Sequence, residues 1–185
     1  VSSLLSPCCN AKTYGQIRHN YPVGAVSAVD WEKVERLAAA GEIDKAAAAA
    51  TGRRGGFGLD QVFSRSGRHD LLYVSQPTGR GAGAKELSAI ARAAKSRRSP
   101  ALVLLWGAAQ FAAGQWKPAE KTLARALRGV PASAEARLLR AAALLYRVRE
   151  EGDKRPMAEA LRDLNGVIAG NPRDVGRCAE KILGG

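Results

Sequence analysis

The stretch that decides the fold runs from Pro100 to Pro131 and reads PALVLLWGAAQFAAGQWKPAEKTLARALRGVP. It divides at Gly114 into two alanine-rich segments, each long enough for about three turns of helix. Ser99 can cap the first helix, and Pro100 suits its first position because proline has no backbone N–H to satisfy there. Pro131 ends the second helix, since proline cannot continue it. The sequence therefore predicts two helices joined by a tight turn.

Small residues recur at fixed positions along this stretch. Counted from Pro100 as position 1, they fall at 8, 15, 20 and 27, with proline at 32: Gly107, Gly114, Ala119, Ala126 and Pro131. This pattern resembles the tetratricopeptide (TPR) repeat, a pair of helices that buries its apolar faces by stacking on neighbouring pairs. The resemblance implies an all-α fold, a TPR-like stack of antiparallel helix hairpins forming a short α-solenoid. It also implies a docking role rather than catalysis.

A second, imperfect unit ends at Pro172, so the resemblance covers about residues 100–184. Its helices are predicted at Ala134–Arg149 and Pro156–Ala169. Pro172 lies 41 residues after Pro131, seven more than the 34-residue period of the family, and this surplus is expected to form a polar turn at 150–156.

Ala160 and Leu164 keep the register of this second unit. Arg140 falls where the family has an apolar residue, unless the register slips by one residue onto Ala141. Asp174–Leu183 resembles the extra helix that caps such arrays. Two repeats fall short of the three usually needed for stability, so helices before residue 100 or a partner protein must supply the remaining cover. The large apolar residues expected in the core are Trp106, Leu123, Leu144 and Leu164.

The chain before the repeats divides by composition. Residues 1–29 lack helical periodicity and are predicted to form an extended arm, and residues 30–50 a helical hairpin that Asp30 caps. Residues 51–83 are predicted to form a basic, glycine-rich loop, after which a TPR-like helical domain covers 84–184. The helices expected before the repeats are Trp31–Ala40, Glu42–Ala50 and Ala84–Ser96.

Composition indicates a thin core and an anionic partner. Apolar residues make up 46% of the 185-residue chain, but many are alanine and only 5% of residues are aromatic. The formal net charge is +12, which favours nucleic acid, an anionic membrane surface or an acidic protein face. Residues 51–98 hold ten basic and three acidic residues, a net charge of +7.

The most enzyme-like stretch, residues 71–86, reads LLYVSQPTGRGAGAKE and is similar to a phosphate-binding P-loop. It has Ala84 and Glu86 where that motif needs glycine and a hydroxyl residue, and a carboxylate at 86 would repel phosphate. His69 has no nucleophile tied to it by spacing, and the three cysteines lack zinc-site spacing. The sequence predicts no enzyme activity, no catalytic residue, no metal site and no cofactor.

Candidate partner contacts fall into two groups. The run Arg53-Arg54-Gly-Gly-Phe57 resembles Arg/Gly/Phe mixtures that contact RNA, where guanidinium groups meet phosphate and the ring stacks on a base. Basic residues extend this patch along the following helix: Arg92, Lys95, Arg97 and Arg98. Outward positions on the first helices of the TPR-like units supply the second group: Gln110, Arg137 and Arg147.

These observations favour a non-enzymatic TPR-like scaffold or accessory subunit that stabilises a larger multi-protein assembly, such as a photosystem, a respiratory complex or a ribosome. The alternative is an RNA-binding factor that uses the basic segment 51–98. The alanine- and arginine-rich composition and the missing initial Met favour a chloroplast or mitochondrion over the cytoplasm. The longest apolar run, Ala101–Ala113, is shorter than the roughly 20 residues a transmembrane helix needs, although contact with a membrane surface stays open.

Overall fold

Helices make up most of the computed structural model, which describes five segments of the chain: residues 29–59, 63–65, 72–74, 81–152 and 154–170. Within these segments there are seven helices: α1 (Trp31–Ala39), α2 (Ile43–Thr51), α3 (Ala84–Arg97), α4 (Pro100–Ala112), α5 (Trp116–Gly129), α6 (Ala134–Glu151) and α7 (Arg155–Gly170). The predicted all-α character is confirmed for this part of the chain. The helix expected at Asp174–Leu183 and nearly all of the arm expected at 1–29 lie outside the described residues.

A pair of short strands lies between α2 and α3. Strand β1 (Phe63–Arg65) pairs antiparallel with β2 (Leu72–Val74), with Ser64 opposite Tyr73. The strands fall within the segment expected to be a loop, and each is three residues long. They add a minor element to an otherwise helical structure.

Local capping chemistry sets the helix starts that the sequence predicts. The Asp30 carboxylate accepts a hydrogen bond from the Lys33 N–H at 3.0 Å, which fixes the start of α1. The Ser99 hydroxyl accepts from the Leu102 N–H at 3.4 Å, and Pro100 opens α4. Both predicted caps are confirmed.

Helices α4 and α5 run antiparallel and approach closely. A Cβ added to Gly107 would lie 2.7 Å from the Leu123 side chain, and one added to Gly129 would lie 2.7 Å from the Pro100 ring. The middles of the two helices thus face each other, and the end of α5 meets the start of α4. Glycine is required at these contacts because any side chain would push the helices apart.

Polar contacts tie α5 to α6 in the same antiparallel sense. The Trp116 Nε1–H donates to Glu150 Oε1 at 2.7 Å, at the start of α5 and the end of α6. One turn further along α5, Glu120 pairs with Arg147. These two contacts fix the position of α5 along α6 beside their apolar interface.

Arg140, which departs from the apolar pattern, is accommodated by an ion pair between α6 and α7. Its guanidinium donates to both carboxylate oxygens of Asp163, at 2.5 and 2.6 Å, and Asp163 is only 2% exposed. These hydrogen bonds raise the pKa of Arg140. The bidentate geometry compensates both charges for the loss of water.

The turn between α6 and α7 is shorter than predicted, because α6 extends two residues beyond its expected end at Arg149. Helix α6 has 18 residues, against 13 in α4, and it continues to Glu151 before Gly152 ends it with φ +66°. The break between α6 and α7 therefore lies within the predicted turn at 150–156 but is shorter, because α7 begins at Arg155. The run of good helix formers before Gly152 explains the longer helix, because nothing in it interrupts the backbone ladder.

The core is built from alanines around a small aromatic cluster. Phe111 of α4 makes edge contacts with Trp116 and Tyr146, with ring centroids 5.1 and 6.0 Å apart. The Trp116 and Tyr146 rings stack on each other with their centroids 4.5 Å apart. The cluster joins α4, α5 and α6. Leu123 and Leu144 are buried, as predicted.

Helix α4 occupies the centre of the fold. Helices α1, α2 and α3 pack on one part of its surface, and α5 and α6 pack on another. Helix α7 packs on α6, where Leu164 is half-buried against a small separate cluster of Ala141, Leu144 and Ala160. One strip of α4 between α3 and α5 stays partly open to water.

Candidate partner-binding surface

The glycine-rich run after α2 is a folded loop held by one carboxylate. Asp44 accepts hydrogen bonds from the backbone N–H groups of Phe57 at 2.7 Å and Leu59 at 2.8 Å. Gly55 and Gly56 have φ of +84° and +61°, conformations that side chains disfavour. The Phe57 side chain is fully buried, so the prediction that its ring stacks on an RNA base is wrong. Its ring anchors the loop to the core.

Arg53 joins this loop to the start of α3. Its Nε lies 2.7 Å from Glu86 Oε1, and its guanidinium donates to the Gly81 carbonyl at 3.0 Å. Glu86 also accepts from the Gly83 N–H at 2.7 Å, so the carboxylate that breaks the P-loop pattern caps the helix. Arg53 thus has a structural role, whereas Arg54 is exposed. His69 lies outside the described residues.

The basic residues predicted on α3 lie at its solvent face. Arg92, Lys95 and Arg98 are exposed and form no ion pair within the described part of the chain. Arg97 differs, since it pairs with Glu35 of α1 at 3.1 Å. A hydrogen bond from Ser99, followed by the contact with Arg97, lowers the pKa of Glu35.

Trp106 lies on the open strip of α4, held between cations from two other helices. The Lys95 ammonium of α3 lies 5.8 Å from the Trp106 ring centroid, and the Arg125 guanidinium of α5 lies 5.0 Å from it. Such cation–π contacts contribute about 0.5–1 kcal/mol each at exposed sites. The sequence predicts Trp106 in the core, but the side chain is only half-buried, because this face of α4 points outward.

A row of cations along α5 was not predicted from the sequence. Its four members are exposed and lie on one side of the helix: Lys117, Lys121, Arg125 and Arg128. Their spacing of four, four and three residues is the signal that could have revealed them, because such residues share a helix face. The corresponding row on α3 consists of Lys85, Arg92 and Lys95.

We call this surface the cationic face: the α3 row, the α5 row, and Val103 and Trp106 of α4 between them. Residues 84–129, which span α3 to α5, hold nine basic and two acidic residues. Both carboxylates are engaged, Glu86 by Arg53 and Glu120 by Arg147. Within the described residues of these three helices, no carboxylate is left to neutralise the two rows.

An open cleft adjoins the cationic face between α1 and α3. Its volume is about 700 Å³, and it is lined by Trp31, Ala89, Arg92, Ala93, Lys95, Ser96 and Arg97. Three of the predicted contact residues therefore meet at this rim: Arg92, Lys95 and Arg97. The cleft has an apolar floor and a basic edge.

The predicted contacts in the TPR-like units do not form a common surface. Gln110 is 8% exposed, and its Oε1 has no hydrogen-bond donor among the described residues, so the prediction that it faces outward is wrong. Arg147 pairs with both Glu120 and Glu151 and is mostly buried. Arg137 donates to the Pro131 carbonyl at 2.9 Å. These side chains mainly hold the protein's own helices together.

No cluster of three or more potential metal ligands occurs in the described segments. None of the helices found there has the length and hydropathy to cross a bilayer. No protein-family model, curated protein sequence or solved structure matches this chain.

Proposed function

We propose that this protein is a non-catalytic, TPR-like docking subunit that stabilises a larger multi-protein assembly and binds it through the cationic face. The observation that carries the proposal is the charge arrangement on α3–α5. The two rows hold seven cations, two of which lie 5.8 and 5.0 Å from the ring centroid of the half-buried Trp106, and the carboxylates of these helices are committed to other pairs.

The TPR-like assignment is supported by the contact between Gly107 and Leu123. In the resemblance these residues occupy the small position of the first helix and the large apolar position of the second. A Cβ added to Gly107 would lie only 2.7 Å from the Leu123 side chain, and this close approach of the helices is the packing that such a pair serves. The long α6 and the contacts of α1 and α2 with α4 are departures from a regular repeat array.

A cationic surface of this kind is better suited to binding than to stability. Like charges on neighbouring helices repel one another in the free protein, and an acidic partner removes that repulsion. Complementary charge also speeds association and excludes basic competitors. The repulsion between these charges is therefore relieved, and the face stabilised, only when a negatively charged partner covers it.

The alanine- and arginine-rich composition favours an organellar assembly, with a photosystem, a respiratory complex or a ribosome as the candidate hosts. Protein is the preferred partner because the structure removes Phe57 and Arg53 from the proposed RNA patch. Both residues are engaged within the fold.

The test is a pull-down with the full chain from chloroplast and mitochondrial extracts, with mass spectrometry to identify the partners. The Lys121→Glu/Arg125→Glu double variant reverses two charges on the face. The matched control, Lys154→Glu/Arg162→Glu, makes the same charge change at exposed residues in and before α7. We expect the first variant to lose the subunits of one defined assembly and the control to retain them.

Equal recovery with both variants would refute docking through the cationic face. Recovery of RNA in place of a protein assembly, abolished by nuclease and falling steeply with added salt, would replace the proposed function with RNA binding.

A further inference from the structure

We infer that the segment bound by the cationic face is an acidic amphipathic helix of the partner, lying along α4 between the two basic rows. This inference rests on the proposed docking function and names the chemistry of the partner at that same surface. It follows from the arrangement of apolar and charged groups on three adjacent helices.

The centre of the face is an apolar strip. Val103 and Trp106 lie one turn apart on α4 and are both half-buried, with the exposed Pro100 one turn before them. At 1.5 Å per residue the strip extends about 9 Å, the length of nearly two helical turns. It can accept apolar side chains spaced three and four residues apart.

The two rows flank this strip on opposite sides. Lys117 to Arg128 covers about 16 Å along α5, and Lys85 to Lys95 covers about 15 Å along α3. Packed helices are about 8–10 Å apart, so the outer two of three adjacent helices leave room above the central one for a fourth, about 10–12 Å wide. A bound helix of about 11 residues would place carboxylates on both of its edges against the rows.

The position of Trp106 argues against RNA. Cations from α3 and α5 lie 5.8 and 5.0 Å from its ring centroid, so a base could stack on the face of the ring only by displacing them. Sequence-tolerant RNA binding relies on open aromatic faces beside the basic groups. Phe57, the other aromatic residue considered for this role, is buried.

The distribution of apolar side chains argues against a membrane. Among the described residues the exposed large apolar side chains are Met157 and Leu161, both on α7 and outside the cationic face. Trp106 and Val103 are only half-exposed, and two cations lie 5.8 and 5.0 Å from the Trp106 ring centroid. A protein that inserts into a bilayer surface needs apolar groups that protrude beyond its cations.

The experiment measures binding of the full chain to a fluorescent peptide of about 14 residues, with leucines at helical spacing and glutamates on both flanks. A scrambled peptide of the same composition is the matched probe. We expect the patterned peptide to bind at least about tenfold more tightly and to gain helical circular dichroism on binding. Lys121→Glu/Arg125→Glu should abolish binding, and Lys154→Glu/Arg162→Glu should not change it.

A nearly isosteric change tests the apolar strip without removing the tryptophan. Val103→Thr should weaken binding of the patterned peptide several-fold and leave binding of the scrambled peptide unchanged. Equal affinity for the two peptides would overturn the inference, as would tighter binding of a single-stranded oligonucleotide or of phosphatidylserine vesicles through the same rows.

The two proposals fail in different ways. If the pull-down depends on Lys121 and Arg125 but the patterned peptide does not bind, docking stands and the helical partner is wrong. If the pull-down yields no assembly that depends on these residues, the proposed function itself is wrong, whatever the peptide does.

Discussion

Replacing Gly107 by alanine tests whether the close contact between α4 and α5 sets the packing of the fold. An alanine in a helix interior is more favourable than glycine by about 0.5–1 kcal/mol. Here, however, its Cβ would lie 2.7 Å from both Cγ and Cδ2 of Leu123, which is fully buried, so the side chain or the helices must shift. Overpacking of this kind costs about 1–3 kcal/mol, so we expect a net destabilisation of up to about 2 kcal/mol.

A double-mutant cycle separates the clash from the intrinsic preference for alanine. Leu123→Ala alone should cost about 2–5 kcal/mol, because it leaves a cavity at a fully buried site. In that background the clash is absent, and Gly107→Ala should become stabilising by about 1 kcal/mol. The predicted result is a change of sign, with a coupling free energy of about 1–3 kcal/mol between the two positions.

The assay is urea unfolding of the full chain, followed by far-UV circular dichroism, for the wild type and the three variants. The free energy of unfolding is compared at constant m-value, so that a change in the unfolded state is recognised. If Gly107→Ala stabilises the wild type as much as it stabilises Leu123→Ala, the two helices are not in close contact there and the packing argument fails.

Three further predictions use the same measurement. Gln110→Met should stabilise the protein by about 1 kcal/mol, because it removes a buried carbonyl oxygen without a donor in the described part of the chain; a loss of stability would show that Gln110 has a partner. Asp163→Asn should lower the free energy of unfolding by about 1–3 kcal/mol, less than for a fully buried pair, because Arg140 keeps some contact with water. Replacing Asp163 by Leu and Arg140 by Met together should recover most of that stability. The lowered pKa of Glu35 means that the folded state favours its ionised carboxylate. The carboxylate therefore stabilises the fold at pH values above its ordinary pKa of 4.5, and this stabilisation is lost as the pH falls below that value. Glu35→Gln should therefore reduce the loss of stability in acid, and an unchanged pH profile would contradict the assignment.

The helices could be predicted from the sequence because their signals are local. Asp30 and Ser99 cap helices through backbone groups three residues away, and Pro100 fits the first turn of any helix. Periodic alanine and leucine then indicate which side is buried. None of these inferences needs knowledge of distant residues.

The candidate site could be predicted only in part, because exposure depends on residues far apart in the chain. Gln110 and Trp106 follow the same helical period, yet one is buried and the other is half-open. Which side of α4 is covered depends on how α3 and α5 pack against it, and no local pattern specifies that. The role of Phe57 depends likewise on Asp44, thirteen residues earlier, whose carboxylate folds the loop inward.

The central position of α4 has a consequence for how the protein unfolds. In a regular solenoid each unit touches only its neighbours, and the ends can fray one unit at a time. Here α4 contacts α1, α2 and α3 before it and α5 and α6 after it, whereas α7 packs on α6 around its own small cluster. Amide hydrogen exchange should therefore reveal two cooperative units: α7 opening at low free energy, and the helices around α4 exchanging only through global unfolding.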